Sequence, residues 1–365
     1  MIGSDFDDFR QRYDDLHVNY WSNRLSVDEL RCWYQERLHA IVAHVQQNSP
    51  FYRERLRDVV ASSLTLENLR DLPFTTGDDL RDAMHDILCG KLSDASNAQL
   101  AEAWRQVIEC HFPDEAPIVG ILGSTEIHSF GDTLGDICWR LGVCNAKIWP
   151  HSPVIGLPKC MQLIRDLRPG ILAASPGMFL SLAKAAERLG YDPVRDFAVR
   201  VLMMSGELCT PALRNNIRSL WGAEPYDSLY GSPETLVIAA TDRRNRLVPH
   251  RLNYLFEVLD PATGASKGEQ GDGELCVTLL IDGVKPLIRY RTGDLVSIQP
   301  TGSATLADAF TISVMGRVRD RIVLNDRALT TGEIEQAVLD GVTLCLGYRL
   351  VISRTARARQ PDHQA

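Results

Sequence analysis

No two of the nine cysteines in this 365-residue sequence are spaced Cys-x-x-Cys; they stand at 32, 89, 110, 138, 144, 160, 209, 276 and 345. An odd and scattered set excludes a regular disulfide framework and a zinc knuckle, and predicts that most of these residues serve as small buried apolar groups. No apolar run approaches the roughly 18 residues that span a bilayer, and the acidic start from Met1 to Asp8 has none of the marks of a signal peptide. A cytoplasmic protein with no membrane partner is the expectation. Aromatic residues are few, at 7%, while 45% hydrophobic and 24% charged residues make an ordinary globular chain rather than a disordered or fibrous one. Acidic residues outnumber basic ones 47 to 39, a net charge of -8, which argues against nucleic acid as the principal partner. No internal repeat and no low-complexity linker interrupts the chain.

What is present divides into regions by its periodicity. Residues 1–115 read as helical. Ser26 and Glu29 form a capping box, and Leu30, Trp33, Tyr34, Leu38, Ile41, Val42 and Val45 then fall on one face until Asn48-Ser-Pro50 stops the helix. Thr65 and Thr76 are further N-cap candidates, and a helix is expected over Ala98–Cys110. In 116–250, short apolar runs at 118–122, 171–174 and 199–204 alternate with amphipathic helices near 133–142, 158–167, 177–189 and 210–221. That alternation predicts an α/β core with a largely parallel sheet covered on both faces. Ligands in such sheets bind beyond the strand C-termini, so the loops after 122, 204 and 230 are where chemistry is expected. Residues 251–320 read as all-β, a meander or a distorted β-barrel. A strand at 322–324 and a helix at 332–339 follow, and Arg349, Arg354, Arg357 and Arg359 suggest a frayed basic tail, with nucleic-acid contact as the alternative.

Three loop clusters hold candidate chemistry: Ser205-Gly206-Glu207, Tyr230-Gly231-Ser-Pro-Glu234 and Arg289-Tyr-Arg-Thr-Gly-Asp294. Gly231 is expected to adopt a backbone conformation closed to other residues. Taken singly, each cluster reads first as a turn with a solvated charge.

Their order and spacing resemble the adenylate-forming superfamily, most closely its phenylacetate–CoA ligase branch. Tyr230-Gly-Ser-Pro-Glu234 is similar to that superfamily's Tyr-Gly-x-x-Glu motif, and Tyr290-Arg-Thr-Gly-Asp294 matches its Tyr-Arg-Thr-Gly-Asp motif. Gly316-Arg317 with Asp320 resembles its Gly-Arg-x-x-Asp hinge, and Leu72-Pro-Phe-Thr-Thr-Gly-Asp-Asp-Leu-Arg81 resembles the segment before its phosphate loop. The resemblance runs over roughly residues 25–340. It implies a large domain over 1–320 and a shortened C-terminal segment over 321–365. It also implies roles by position. Glu234 would ligate the Mg²⁺ that bridges ATP phosphates, and Asp294 would hold the ribose hydroxyls with support from Arg317. Tyr230 would lie along the adenine, and the backbone of Ser205, Gly206 and Glu207 would meet its edge. The acyl pocket, for an aromatic or acyl carboxylate, would be lined by the loop after 118–122 and the segment after Tyr230. CoA or a carrier protein would be the acceptor.

Two parts of the family's pattern are missing from the sequence. The Ser/Thr/Gly-rich phosphate loop is replaced by Asp86-Ile-Leu-Cys-Gly-Lys-Leu-Ser-Asp-Ala-Ser-Asn97, in which Lys91 and Ser93 are the only remnants. No lysine follows Asp320, although related ligases carry a catalytic one there. The expectation is therefore an enzyme of specialised biosynthesis with a degenerate ATP site. One alternative is an ATP-independent hydrolase or acyl transferase that reuses the acyl pocket. It would employ Glu126 and His128 with Ser124, Ser205 or Cys209 as nucleophile. Another is a non-catalytic binding or scaffold protein. Some relatives carry structural zinc near the region of His250 and Cys276, but no paired cysteines accompany them, so no zinc is expected.

Overall fold

The structure is a computed structural model, and it describes residues 4–87, 95–124, 130–281, 285–324 and 327–351. Five parallel strands form the central sheet: β1 (Val119–Ile121), β2 (Asn145–Lys147), β3 (Ile171–Ala174), β4 (Val201–Met204) and β5 (Glu224–Asp227), in the order β2-β1-β3-β4-β5. The expected runs at 118–122, 171–174 and 199–204 are β1, β3 and β4. The sequence did not announce β2 or β5. Asn145-Ala-Lys147 is a three-residue polar edge strand, and β5 carries Pro225, so neither shows the apolar run of a buried strand.

Side chains on β3 and β4 alternate between two separate cores, as a two-residue period requires. Leu172, Ala174, Leu202 and Met204 pack with the helices Gly156–Leu167, Pro176–Arg188 and Pro211–Trp221. Ile171, Ala173, Val201 and Met203 pack on the other face with the helices Ala95–His111 and Phe130–Arg140. Both faces of the parallel sheet are thus covered. The order reverses between β1 and β3, which places the switch point of this doubly wound sheet beside the loops after Leu122 and Ala174.

The chain then turns antiparallel. Strands β6 (Leu229–Ser232), β7 (Leu236–Thr241) and β8 (Leu247–Pro249) form a three-stranded sheet. Next come β9 (Tyr254–Leu259), β10 (Gly271–Leu279), β11 (Tyr290–Pro300) and β12 (Phe310–Arg317), which pair in the order β12-β11-β10-β9. This is the meander of the two expected forms. Among the described residues β9 and β12 stay as edges and no barrel closes. A short hairpin, β13 (Ile322–Leu324) and β14 (Arg327–Leu329), leads to the helix Thr331–Leu339.

The helix Val27–Asn48 carries the Ser26–Glu29 capping box and buries all seven residues of its expected apolar face. Its partner is the meander: Trp33, Leu38 and Val42 share one core with Val258, Val277 and Val296. The C-terminal helix Thr331–Leu339 docks on Pro211–Trp221. Glu335 accepts from Thr210 Oγ1 at 2.8 Å and Gln336 accepts the Ala212 N–H at 2.9 Å. The Asn216 amide meets both backbone groups of Cys345, at 2.8 Å each. The cysteines depart from expectation. Of the eight described, only Cys138, Cys160 and Cys276 are buried, while Cys32, Cys110 and Cys144 are exposed. No helix among the described residues is long and apolar enough to cross a membrane.

One buried ion pair ties the N-terminal helices to the meander. Arg289, 3% exposed and held at φ +46°, donates Nε and Nη2 to the two oxygens of Glu257 at 2.9 and 3.0 Å. Its Nη1 donates to the carbonyls of Arg70 and Leu72, and the guanidinium lies 4.2 Å from the Phe74 ring centre. Thr75 then adds a parallel bridge to Tyr290, with N–H···O bonds of 3.0 and 2.9 Å to Arg289 and Arg291. The Leu72–Thr76 segment is thereby bolted beside the Tyr290–Asp294 motif.

Removing one partner of a buried pair strands the other charge. Arg289→Ala is expected to lose on the order of 3–5 kcal/mol in urea unfolding, whereas Arg57→Ala, at an exposed pair with Asp58, is expected to lose less than about 1 kcal/mol. Equal small losses would refute the role given to Arg289. Acid should also unfold the protein early. Burial pushes the His250 imidazole down to about 3 from its ordinary 6.5, while the unfolded chain takes up that proton near 6.5. Its contribution is therefore complete above pH 6.5 and is lost progressively as pH falls towards 3. A pH series of melting temperatures should fall through that window, and His250→Phe should flatten the fall.

Candidate functional site

Asp294 is aimed by a bulge. In the β10–β11 ladder Glu274 pairs with Leu295 and Cys276 with Arg291, so the three residues 292–294 oppose Leu275 alone. Gly293 supports the excursion at φ +75°, and Asp294 N–H donates to Thr292 Oγ1 at 3.1 Å. An extra loop of strand re-aims its side chain away from the ladder. On the other side Asp294 is the cross-strand partner of Arg317, and the Arg317 Nε lies 3.4 Å from Asp294 Oδ1. Tyr230 reaches across from the three-stranded sheet and donates its hydroxyl to Asp294 Oδ2 at 2.8 Å. Two expected site residues, Tyr230 of β6 and Arg317 of β12, thus converge on the carboxylate of a third, Asp294 of β11.

Burial raises the Asp294 carboxyl above its ordinary value, opposed by the Tyr230 hydrogen bond and the Arg317 charge. Burial also drives the Tyr230 phenol well up, reinforced by the Asp294 charge. Tyr230 therefore stays a donor. A carboxylate has about four lone-pair sites, so the two contacts to Tyr230 and Arg317 leave capacity for two further donors.

Glu234 stands in the β6–β7 turn, where Ser232 and Thr235 exchange hydrogen bonds of 3.1 and 3.2 Å. Gly231 is required there, but for a reason other than the expected one. Its φ lies outside the left-handed region, and a Cβ would sit 2.0 Å from the Leu236 carbonyl oxygen. Glu234 is half-buried and makes no hydrogen bond or ion pair with another described residue. Burial, with the Glu234 and Asp294 charges, pushes the Tyr290 phenol up to about 12. Magnesium suits such a place, since it takes one or two carboxylates and completes its shell with water and phosphate oxygens. No group of three His, Cys, Asp or Glu among the described residues could hold a metal without such help.

The loop Ser205-Gly206-Glu207 follows β4. Ser205 N–H continues the sheet to the Ala174 carbonyl at 3.2 Å, and Gly206 takes φ +86°. The Glu207 side chain has a structural task that the sequence did not reveal. It accepts from Ser175 Oγ and from Gly177 N–H, both at 2.8 Å, and so caps the helix Pro176–Arg188 at its positive end.

Glu126 and His128 of the hydrolase alternative lie outside the described residues, as do Lys91 and Ser93. Burial drives the Cys209 thiol far up, and its charged neighbours are Asp227, Arg214 and Glu335. A thiol held protonated is a poor nucleophile. Neither Cys209 nor Ser205 is hydrogen-bonded to a described histidine. At the mouth of β1, the Phe130 ring occupies the space over Gly123, where a Cβ would come within 2.3 Å of it. Phe130 joins Val237 and Ala240, from the segment after Tyr230, in one apolar cluster. A separate cleft lined by Tyr34, Arg251, Phe256, Glu269 and Phe310 shares no residue with the site. Its Arg251 is already paired to Glu269 at 3.1 Å and lies 4.7 Å from the Phe310 ring centre.

No protein-family model matches the chain. The phenylacetate–coenzyme A ligase of Pseudomonas putida is 27% identical to it over 365 residues, covering 90% of this chain and 80% of that protein. The ligase of the same name from Escherichia coli (strain K12) is 25% identical over 358 residues, with the same two coverages. Among solved structures, 2-hydroxyisobutyryl-CoA ligase in the postadenylation state with 2-HIB-AMP superposes with a TM-score of 0.75 at 18% identity, covering 86% of this chain and 73% of that one. An open conformation of 2-hydroxyisobutyryl-CoA ligase with 2-HIB-AMP and CoA gives 0.71 at 19%, with coverages of 86% and 81%. The chain is a distant homologue of the phenylacetate–CoA ligases and has the fold of the adenylate-forming ligases.

Proposed function

We propose that this protein is a phenylacetate–CoA ligase-like enzyme whose site holds the nucleoside half of an acyl adenylate and handles the triphosphate poorly. The observation that carries this reading is the convergence of Tyr230 and Arg317 on Asp294, with the unengaged Glu234 on the adjoining turn. Vicinal ribose hydroxyls are two donors that a carboxylate with spare lone pairs accepts. The ring of Tyr230 would lie along the adenine and the backbone of Gly206 and Glu207 would meet its edge. Arg317, half-exposed beside Asp294, would support the ribose. Glu234 would hold Mg²⁺ against phosphate oxygens, the metal there spreading the charge of the leaving group. A small aromatic or acyl carboxylate would enter between the loop after β1 and the segment after Tyr230, with CoA or a carrier thiol as acceptor.

The degenerate half of the reading rests on the sequence of Asp86–Asn97, which has a single glycine, Gly90, in place of a glycine-rich run whose N–H groups would cradle phosphates. Loss of such preorganised donors removes large electrostatic stabilisation of the transferring group. No observation favours the hydrolase alternative over this one.

Two outcomes are expected. Calorimetry should find AMP and a non-hydrolysable acyl-adenylate analogue binding more tightly than ATP–Mg²⁺, and carboxylate-dependent pyrophosphate release should be at least about 100-fold below that of an intact ligase assayed alongside. Full-rate pyrophosphate release would refute the degeneracy. Nucleotide-free cleavage of acyl thioesters would instead support the hydrolase alternative. Asp294→Asn should abolish AMP binding without lowering the melting temperature at pH 7. The raised carboxyl there costs stability as pH rises past the unfolded value, and asparagine still accepts from Tyr230. A variant that binds AMP normally would remove Asp294 from the site.

A further inference from the structure

Beneath the β6–β7 turn lies a group of buried polar side chains that do not satisfy one another. Asn253, Gln99 and His250 are 0%, 1% and 2% exposed. Asn253 Oδ1 accepts from Tyr13 Oη and from Gln99 Nε2, the latter at 3.1 Å, and Gln99 Nε2 also reaches Tyr13 Oη at 3.3 Å. His250 Nδ1 meets the Val237 carbonyl at 3.2 Å, and Asn253 N–H donates to the His250 carbonyl at 3.0 Å, which keeps the two residues in one turn. Three side-chain atoms are left unpaired: Gln99 Oε1, Asn253 Nδ2 and His250 Nε2. The His17 ring, stacked on Tyr13 with centroids 6.2 Å apart, adds a fourth in its Nε2.

The chemistry of the unpaired set is definite. A carbonyl only accepts, so the His250 proton is on Nδ1 and Nε2 presents a lone pair. Turning both amides over exchanges the roles of Gln99 and Asn253 but still leaves one amide oxygen and one amide NH₂ group unpaired. His17 apart, what is left among Gln99, Asn253 and His250 is two acceptor atoms and one NH₂ group. Each unsatisfied buried group costs about 1–3 kcal/mol, and all three cannot be left bare in a marginally stable fold. A molecule with two donor hydrogens and a lone pair meets both acceptors and one N–H of the NH₂ group, and buried waters make about three such bonds.

We propose that an ordered internal water binds among Gln99, Asn253 and His250, donating to the amide oxygen and to His250 Nε2 and accepting from the amide N–H. Its position has a consequence for the candidate site. His250 holds the Val237 carbonyl of β7, and Tyr254, next to Asn253, donates its hydroxyl to the Thr235 carbonyl. The water joins these two supports of the Glu234 turn to the helix Ala95–His111 through Gln99 and to the helix Ser4–Trp21 through Tyr13. Gln99, Asn253 and His250 are then positioning residues for Glu234.

A crystal structure of the full chain at a resolution that orders solvent tests this. A single peak is expected at about 2.7–3.2 Å from His250 Nε2 and from one amide oxygen and one amide nitrogen. A dry space, or a direct bond from His250 Nε2 to either amide, would overturn it. Nitrogen NMR of His250 at pH 7 supplies an independent check: the proton should reside on Nδ1, and an Nε2–H tautomer would overturn the donor–acceptor count. Gln99→Met removes one partner without emptying the space. It should leave the peak with two contacts and speed hydrogen exchange in residues 231–237 at least threefold, and unchanged exchange would refute the link to the Glu234 turn.

Discussion

Everything at the candidate site hangs on the pairing of Arg289 with Glu257. A guanidinium out of water must have its N–H groups satisfied, and Arg289 does this with a bidentate carboxylate and the carbonyls of Arg70 and Leu72. That solution draws a segment more than two hundred residues earlier onto the start of β11. Phe74 sits against Arg289 and also 5.4 Å from Arg291, which is itself paired to Glu274. Two Arg–Glu pairs, one between the neighbours β10 and β11 and one reaching across β10 to β9, thus hold one aromatic ring. The strand so fixed enters the bulge that presents Asp294.

The two sheet systems contribute unequally. The parallel sheet ends in the loop after β4, where the Glu207 side chain caps a helix terminus. The contacts at the Asp294 carboxylate come from antiparallel elements instead: Tyr230 from β6 and Arg317 from β12 meet Asp294 of β11. Switch-point topology marks where ligands bind in sheets of this kind, while here a bulge and a close-packed hairpin decide which side chains meet at Asp294. Gly231 shows the distinction. Its absent side chain makes room for the Leu236 carbonyl, so the turn is set by packing distance rather than by an unusual dihedral.

Much of this was legible in the order of residues. The capping box at Ser26 and the apolar face behind it were readable because caps and helical period are local properties. The strands β1, β3 and β4 were readable because burial on both faces writes a continuous apolar run. What failed to show was non-local or short. β2 and β5 are brief and carry polar residues or proline. The Arg289–Glu257 pair joins residues 32 apart on strands with β10 between them, and the Glu207 cap joins residues 30 apart across the sheet. Cysteine burial was misjudged because scattered cysteines follow their local face, and Cys32 and Cys110 sit on outward faces of helices. The motif residues Tyr230, Asp294 and Arg317 could be chosen from sequence, but their meeting at 2.8 and 3.4 Å could not.

The claim that Asp294 is a ribose acceptor, rather than the hub of a purely structural contact, can be read directly from a crystal structure of the protein with AMP. The account predicts both ribose hydroxyls on the Asp294 carboxylate, adenine along the Tyr230 ring, and Arg317 turned to the same sugar. Electron density for the nucleotide elsewhere, or none at saturating AMP with the Tyr230–Asp294–Arg317 contacts unchanged, would contradict it.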